Sequence, residues 1–165
     1  AAIAMTIEAG VPLNIIINVI KDFMGVEHRI EYVRDKNGVR YYNDSKGTNP
    51  DSSIKALEAM SRPTILIAGG YDKHSEFDEF IEAFDNKVKL MVLLGQTADK
   101  IEETAVRHGF TNIIKTDSLE KAVKICAENA VSGDVVLLSP ACASWGMFKN
   151  YEERGKLFKE YVNSL

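Results

Sequence analysis

Apolar residues fall along this chain in blocks whose spacing changes several times, and each change marks a structural element. From Ala1 to Ala9 the spacing is helical; Gly10 interrupts it, and Pro12 suits the first turn of a second helix over Leu13–Phe23. That second helix carries Ile and Val on most of its faces, more than a free surface helix should, so it calls for a partner. Gly25 breaks the run, and a boundary is expected near residue 25. Residues 28–43 read as a β-hairpin, with HRIEYVR and VRYYND flanking Asp35-Lys36-Asn37-Gly38, where Asn-Gly favours the positive φ values of a tight turn. A helix follows over Pro50–Met60, started by Pro50 and Asp51.

Beyond residue 60 short apolar runs alternate with amphipathic stretches. TILIAGG, VKLMVLLG, TNIIKT and DVVLLSP are strands, starting near Thr64, Val88, Asn112 and Asp134. SEFDEFIEAF, TADKIEETAVRHG, SLEKAVKICAENA and MFKNYEERGKLFKEYV are the helices between and after them. The runs lack clean polar alternation, which suits strands covered on both faces. Strand–helix alternation at this rhythm predicts an open, mostly parallel α/β sheet of Rossmann-like type with flanking helices and an N-terminal hairpin.

In such sheets ligands bind outside the carboxyl ends of the strands. Three loops there carry polar residues. Asn43–Pro50 (NDSKGTNP) precedes a helix start, where backbone N–H groups, Lys46 and Thr48 suit an anion; equally, Asp44 closes a turn and Asn49 caps the helix. Ala68–Lys73 (AGGYDK) pairs two glycines with Lys73; the glycines permit a tight turn or the close approach of a ligand or backbone. The spacing matches neither GxGxxG nor GxxxxGK[ST]. Ser139–Trp145 (SPACASW) places small residues at a strand end, and Ser144 stands either as a helix cap or as a site hydroxyl. Cys142 has no His after it to act as base, which argues against a catalytic thiol, and Cys126 lies in a helical apolar stripe. Trp145 and Tyr151 suit stacking on a ligand or simple packing. His28, His74 and His108 share no ligand spacing, so no metal site is expected in this chain.

Composition narrows the function classes. The chain has 165 residues, with 45% hydrophobic and 27% charged, which is globular. Lys plus Arg number 20 against 24 acids, a net charge of −4 that argues against a nucleic-acid backbone as partner. Two cysteines are too few for a disulfide scaffold. Without a signal peptide or an apolar run long enough to span a bilayer, a cytoplasmic location and no membrane partner are expected. The chain opens without Met inside a helical pattern, which suggests a piece of a longer protein.

Taken together, NDSKGTNP, LIAGGYDK and LLSPACASWGMFKNYEERGKLF, with GVEHRIEYV ahead of them, resemble in order and spacing the C-terminal domain of the D-glutamate-adding Mur ligases. The resemblance covers residues 3–165; NDSK-x-TN and SPACAS-x(4)-KN-[FY]-x-x-RG together are specific, while GG-x-x-K alone is weak. It implies an ATP-dependent ligase of peptidoglycan synthesis that joins D-glutamate to UDP-MurNAc-L-alanine through an acyl phosphate. Residue by residue, it implies that Thr48, Lys73 and Ser144 bind the D-Glu carboxylates, with the Trp145 backbone beside them and Tyr151 as a wall. Lys46 would stand close to the reacting phosphate, Asp44 would reach the nucleotide ribose, and Arg29 would approach the ATP phosphates. Two departures are noted: Gly47 stands where the family often has Ala, and Trp145–Gly146 replaces a commoner pairing with Asp. The resemblance further implies that residues 1–25 end a central ATPase domain and 26–165 form the C-terminal domain. The UDP-binding and ATPase domains, which mainly hold ATP and Mg2+, would lie upstream, and the piece alone is expected to be inactive. Equivalent domains of other Mur or folyl-polyglutamate ligases, and a stand-alone anion-binding α/β module, are the competing readings. The lack of a DNPR-like motif argues against the diamino-acid-adding type.

Overall fold

The computed structural model describes residues 2–23 and 25–165. Ala1, counted above in the first helix, and Met24, at the expected boundary, lie outside the described residues. Two helices come first, α1 (Ala2–Glu8) and α2 (Leu13–Asp22), with Gly10 in the left-handed region between them. They pack on one another, and Ile16 is the buried residue of α2. Met5, Leu13, Val19 and Phe23 stay more than half exposed, so the packing of α1 on α2 leaves much of their apolar surface uncovered.

The hairpin forms as expected from β1 (Glu31–Lys36) and β2 (Val39–Asn43). Asn37 and Gly38 turn it with φ of 55° and 79°, and the Asp35 carboxylate accepts from the Gly38 N–H at 2.9 Å. Then follow α3 (Pro50–Glu58), β3 (Thr64–Ala68), α4 (Asp78–Glu82), β4 (Val88–Leu93), α5 (Ala98–Arg107), β5 (Ile113–Lys115), α6 (Leu119–Asn129), β6 (Val135–Leu138) and α7 (Tyr151–Ser164). One six-stranded sheet results, in the order β1-β2-β6-β3-β4-β5. Every pairing is parallel except that of the hairpin.

Side chains alternate across this sheet and build a core on each face. Leu66, Ala68, Met91 and Leu93 meet α3, α4 and α5 on one side, where Phe77, Phe80, Phe84 and Phe110 run edge to face. Ile65, Ile67, Val136 and Leu138 meet Val123 and Cys126 of α6 and Phe158 and Val162 of α7 on the other. Three strands are thus buried on both faces as the apolar runs require. β5 departs from that expectation: it is three residues long and only half-buried, because it is an edge strand with β4 as its one neighbour. α7 also begins later than its apolar spacing suggests. Asn150 sets the start, its side-chain oxygen accepting from the Glu153 N–H at 2.8 Å.

Order in space differs from order in sequence at one place that matters. β6, the last strand, enters between β2 and β3, and all three run parallel. The loops that leave their carboxyl ends, 44–49, 69–73 and 139–150, therefore stand side by side.

Candidate functional site

Each of the three loops is shaped by local bonds. In the first, Asn43 holds the Ser45 N–H and Asn49 caps α3 by accepting from the Ser52 N–H at 2.9 Å, so the cap reading of Asn49 holds. In the second, the paired glycines serve the close approach of other backbone. A Cβ on Gly69 would lie 2.2 Å from the Leu94 carbonyl, and one on Gly70 2.4 Å from the Ala143 carbonyl. The Tyr71 N–H then donates to the Ala143 carbonyl at 2.9 Å, tying the second loop to the third. In the third, Ser144 does not cap α7, since Asn150 does so six residues later; its carbonyl accepts from the Phe148 N–H instead.

Between the loops lies a cleft of about 230 Å³, lined by Thr48, Lys73, Ala143, Ser144, Trp145, Asn150, Tyr151 and Glu152. Five residues singled out in the sequence, Thr48, Lys73, Ser144, Trp145 and Tyr151, meet there from all three loops. Among the described residues, the Thr48 and Ser144 hydroxyls and the Lys73 ammonium have no hydrogen-bond or ion-pair partner. Three unused donors converging on one concavity suit a small anion with more than one oxygen. At the rim, the exposed Trp145 and Tyr71 rings meet edge to face with centroids 5.5 Å apart. The one acid in the lining, Glu152, has its carboxyl held below the ordinary range, first by backbone hydrogen bonding at the start of α7.

Three other residues singled out in the sequence lie outside the cleft lining. Lys46 is nearest: its ammonium sits 5.3 Å from the centroid of the Tyr151 ring, a cation–π contact. Asp44 is buried beneath the loops at 3% exposure. One carboxylate oxygen accepts from the Ile30 N–H at 3.2 Å and the other from the Ser139 hydroxyl at 2.7 Å. Ser139 also lies 2.8 Å from the Ser53 hydroxyl. With its one proton given to Asp44, Ser139 accepts from Ser53, which in turn accepts from the Ala141 N–H. Burial pushes the Asp44 carboxyl up to about 6 against these bonds and the charges of Arg29 and Arg154. Both Asp44 oxygens are engaged inside the protein, so in this conformation neither is free for a ribose. Arg29 itself is exposed.

Sequence reasoning missed Asn150, Glu152, Arg154 and the Ser53–Ser139 pair. Asn150 and Arg154 sit within the KN-[FY]-x-x-RG motif and Ser139 opens SPACAS, so a signal was present for these three; Ser53 gave none. Cys142 is buried and its thiol is pushed up to about 11, chiefly by desolvation, which opposes a thiolate nucleophile. Cys126 lies fully in the core, as its helical stripe suggests.

Near the start of the hairpin, Glu27, His28 and Glu31 bring ligand atoms within 4.8 Å of one another. Lys159 is already there, its ammonium 2.7 Å from Glu27 and 2.9 Å from Glu31. Burial lowers the His28 pKa, and the Asn43 side-chain amide donates to its Nδ1, so the ring is engaged as a neutral acceptor.

Residues 28–142 match the family model described as Mur ligase, glutamate ligase domain. The chain belongs to the Mur ligases. Among curated relatives in this family, it is 66% identical to a UDP-N-acetylmuramoylalanine–D-glutamate ligase of Lachnospira eligens and 60% identical to one of Lachnoclostridium phytofermentans. Both matches cover the whole chain but only 37% and 36% of those relatives, so this Mur ligase chain spans little more than a third of their length. Its fold is shared with the UDP-N-acetylmuramate–alanine ligase of Thermotoga maritima at a TM-score of 0.70, with 16% identity over 98% of this chain and 36% of that one. The folylpolyglutamate synthase of the same organism gives a TM-score of 0.60 at 15% identity, over 98% of this chain and 37% of that one. Among the described residues no helix of this Mur ligase domain is long and apolar enough to cross a membrane.

Proposed function

We propose that this chain is the D-glutamate-binding, C-terminal part of an ATP-dependent cytoplasmic ligase that extends UDP-MurNAc-L-alanine by one residue in peptidoglycan synthesis. The observation that carries the reading is the convergence of unpaired Thr48, Lys73 and Ser144 donors on one cleft, in a chain 66% identical to a ligase of that name. A dicarboxylate needs separated positive and hydroxyl donors, and this cleft offers them from three loops. In the reaction, transfer of the ATP γ-phosphoryl group to the alanyl carboxylate gives an acyl phosphate and ADP. The D-glutamate amine, its ammonium proton given up to water, then attacks the carbonyl carbon; the C–N bond forms, the C–O bond to the phosphate breaks, and the nitrogen's second proton leaves with the departing phosphate or to water.

In this scheme Thr48, Lys73 and Ser144 hold the glutamate carboxylates, the Trp145 backbone and the Tyr151 ring bound its position, and the amine is presented outward. Lys46, beside Tyr151, offsets negative charge on the transferring phosphate. Arg29 reaches the nucleotide phosphates, and Asp44 reaches the ribose only if the loop 44–49 rearranges. When bound, Mg2+ would neutralise charge on the phosphates and would be held by residues outside this chain; the Glu27–His28–Glu31 group does not suit it, because Lys159 already occupies that position. Residues 1–25 belong to the preceding ATPase domain, a reading supported by the exposed apolar side chains of α1 and α2. Catalysis by the 165-residue chain alone is not expected.

Titration of the chain with D-glutamate, followed by amide chemical shifts, tests this. Shifts should cluster at Thr48, Lys73, Ser144, Trp145 and Tyr151, exceed those with L-glutamate, and vanish in Lys73→Met. Shifts confined elsewhere, or identical for the two enantiomers, would overturn the assignment. ATP-dependent ligation by the chain alone would overturn the division of labour between domains.

A further inference from the structure

The cleft donors come from three loops, and their usefulness depends on the loops keeping a fixed spacing. Two loops are joined directly, through the Tyr71 N–H and the Ala143 carbonyl. The loop bearing Thr48 is held to its neighbour from below, by side chains. Arg154, in the first turn of α7 and 2% exposed, reaches both. Its Nε donates to the Ser45 hydroxyl at 3.0 Å and its Nη2 to the Ser45 carbonyl at 2.8 Å. Its Nη1 donates to the Cys142 carbonyl at 3.1 Å. The Ser45 hydroxyl passes the link on, donating to the Tyr151 carbonyl at 2.8 Å. One guanidinium thus binds the loop three residues before Thr48, the loop two residues before Ser144, and, through Ser45, the Tyr151 wall.

Filling space does not explain this residue. Burial of the guanidinium is unfavourable, and it draws the pKa down to about 10. An apolar side chain of similar volume would avoid that penalty. Nor is it an ion pair, since among the described residues no carboxylate lies within salt-bridge distance of it; Asp44 acts on it only as a nearby charge. What a guanidinium does and an apolar group cannot is fix two backbone carbonyls from different loops in a planar fork.

We infer that Arg154 is a positioning residue of the cleft, setting the Thr48 loop and the Ser144 loop at the separation at which their donors act together. The consequence for ligand affinity rests on the D-glutamate reading above; the consequence for the loops does not. Lysine at this position keeps the charge but loses the fork.

Amide hydrogen exchange and D-glutamate titration of the 165-residue chain and its Arg154→Lys variant test the inference, well below the melting temperature. Exchange at Ser45, Lys46 and Gly47 on one side, and at Tyr71 and Phe148 on the other, should rise at least tenfold together. Amides of β3 and β4 should keep their protection, and D-glutamate affinity should fall about tenfold or more. Should Arg154→Lys not fold, Ser45→Ala removes one arm of the fork while keeping both carbonyl contacts; it should loosen the same two groups of amides to a smaller degree. A folded variant with unchanged loops, or one loosened in a single loop or uniformly across the sheet, overturns the positioning role. So does unchanged D-glutamate affinity despite loosened loops. If the unsubstituted chain binds no D-glutamate while Arg154→Lys still loosens both loops, the positioning role stands and the D-glutamate reading falls.

Discussion

Asp44 is a charge in an unfavourable place, and its neutralisation should stabilise the domain by an amount that depends on pH. In the unfolded chain its carboxyl titrates near 3.8; in the fold burial pushes it up to about 6. Below 3.8 both states are protonated and the group contributes nothing. As pH rises from there the unfolded chain ionises first, the native state binds the more protons, and stability falls until the native carboxyl ionises near 6. Above that the full penalty applies, about 3 kcal/mol at about 1.4 kcal/mol per pH unit. At pH 5 about half of it is present. Asp44→Asn removes the titration and can keep the bonds. Its carbonyl oxygen still accepts from Ile30, while its amide donates to Ser139, whose proton then turns to Ser53. Urea or thermal unfolding of both proteins should show the variant more stable by up to about 3 kcal/mol at pH 8, several degrees in melting temperature, and by about half that at pH 5. Acids such as Glu31, whose pKa is lowered, titrate in both proteins and cancel in the difference. A variant less stable than the parent at pH 8, or a gain equal at pH 5 and pH 8, would refute the reasoning.

Two further outcomes follow from the loops and the thiols. Gly69→Ala, whose Cβ would meet the Leu94 carbonyl at 2.2 Å, should cost at least about 2 kcal/mol in urea unfolding, whereas Gly146→Ala, also at positive φ but in open space, should cost about 1 kcal/mol; equal losses would count against the close approach of the loops. Cys126 and Cys142 should not react with a disulfide reagent at pH 8 until the protein is unfolded, when both should react. Prompt release of one equivalent from the native protein would contradict the burial of Cys142.

Elements whose cause is local could be read from the chain directly. The Asn37-Gly38 turn, the Asn49 cap and the strands at Thr64 and Val88 each depend on a few neighbouring residues, and they lie where the pattern puts them. β5 and the start of α7 were less visible. An apolar run does not say whether its strand will have one neighbour or two, and the Asn150 cap overrides an apolar spacing that would begin the helix at Met147. For the cleft, motif order brought five residues to one place. The parts missed are those joined across long stretches of sequence: Arg154 to Ser45, Ser139 to Asp44 and to Ser53. Buried serines leave no periodicity, because a hydroxyl paired in the core occupies a position that an alanine also fits.

Topology explains why these distant residues had to meet. A strand at the sheet edge has one neighbour, so a loop leaving it can share a site with one other loop. β6 enters between β2 and β3, and the loop after it is flanked on both sides. That arrangement allows donors from three loops to face one ligand, but it also lets three flexible segments drift independently. The fold opposes the drift beneath the cleft rather than within it: Arg154, Ser45, Ser53, Ser139 and Asp44 join the loops by buried bonds. Thr48, Lys73 and Ser144 take no part in those bonds, and so their donors remain available. Stability is given up at Asp44, where a buried carboxylate is retained although an amide would fit the same bonds. The role proposed for that charge, at the nucleotide, requires the 44–49 loop to move, because both Asp44 oxygens are engaged inside the protein. Asp44→Asn should therefore separate the two demands, gaining stability at neutral pH in the 165-residue chain while losing the ligase activity proposed for the full-length protein.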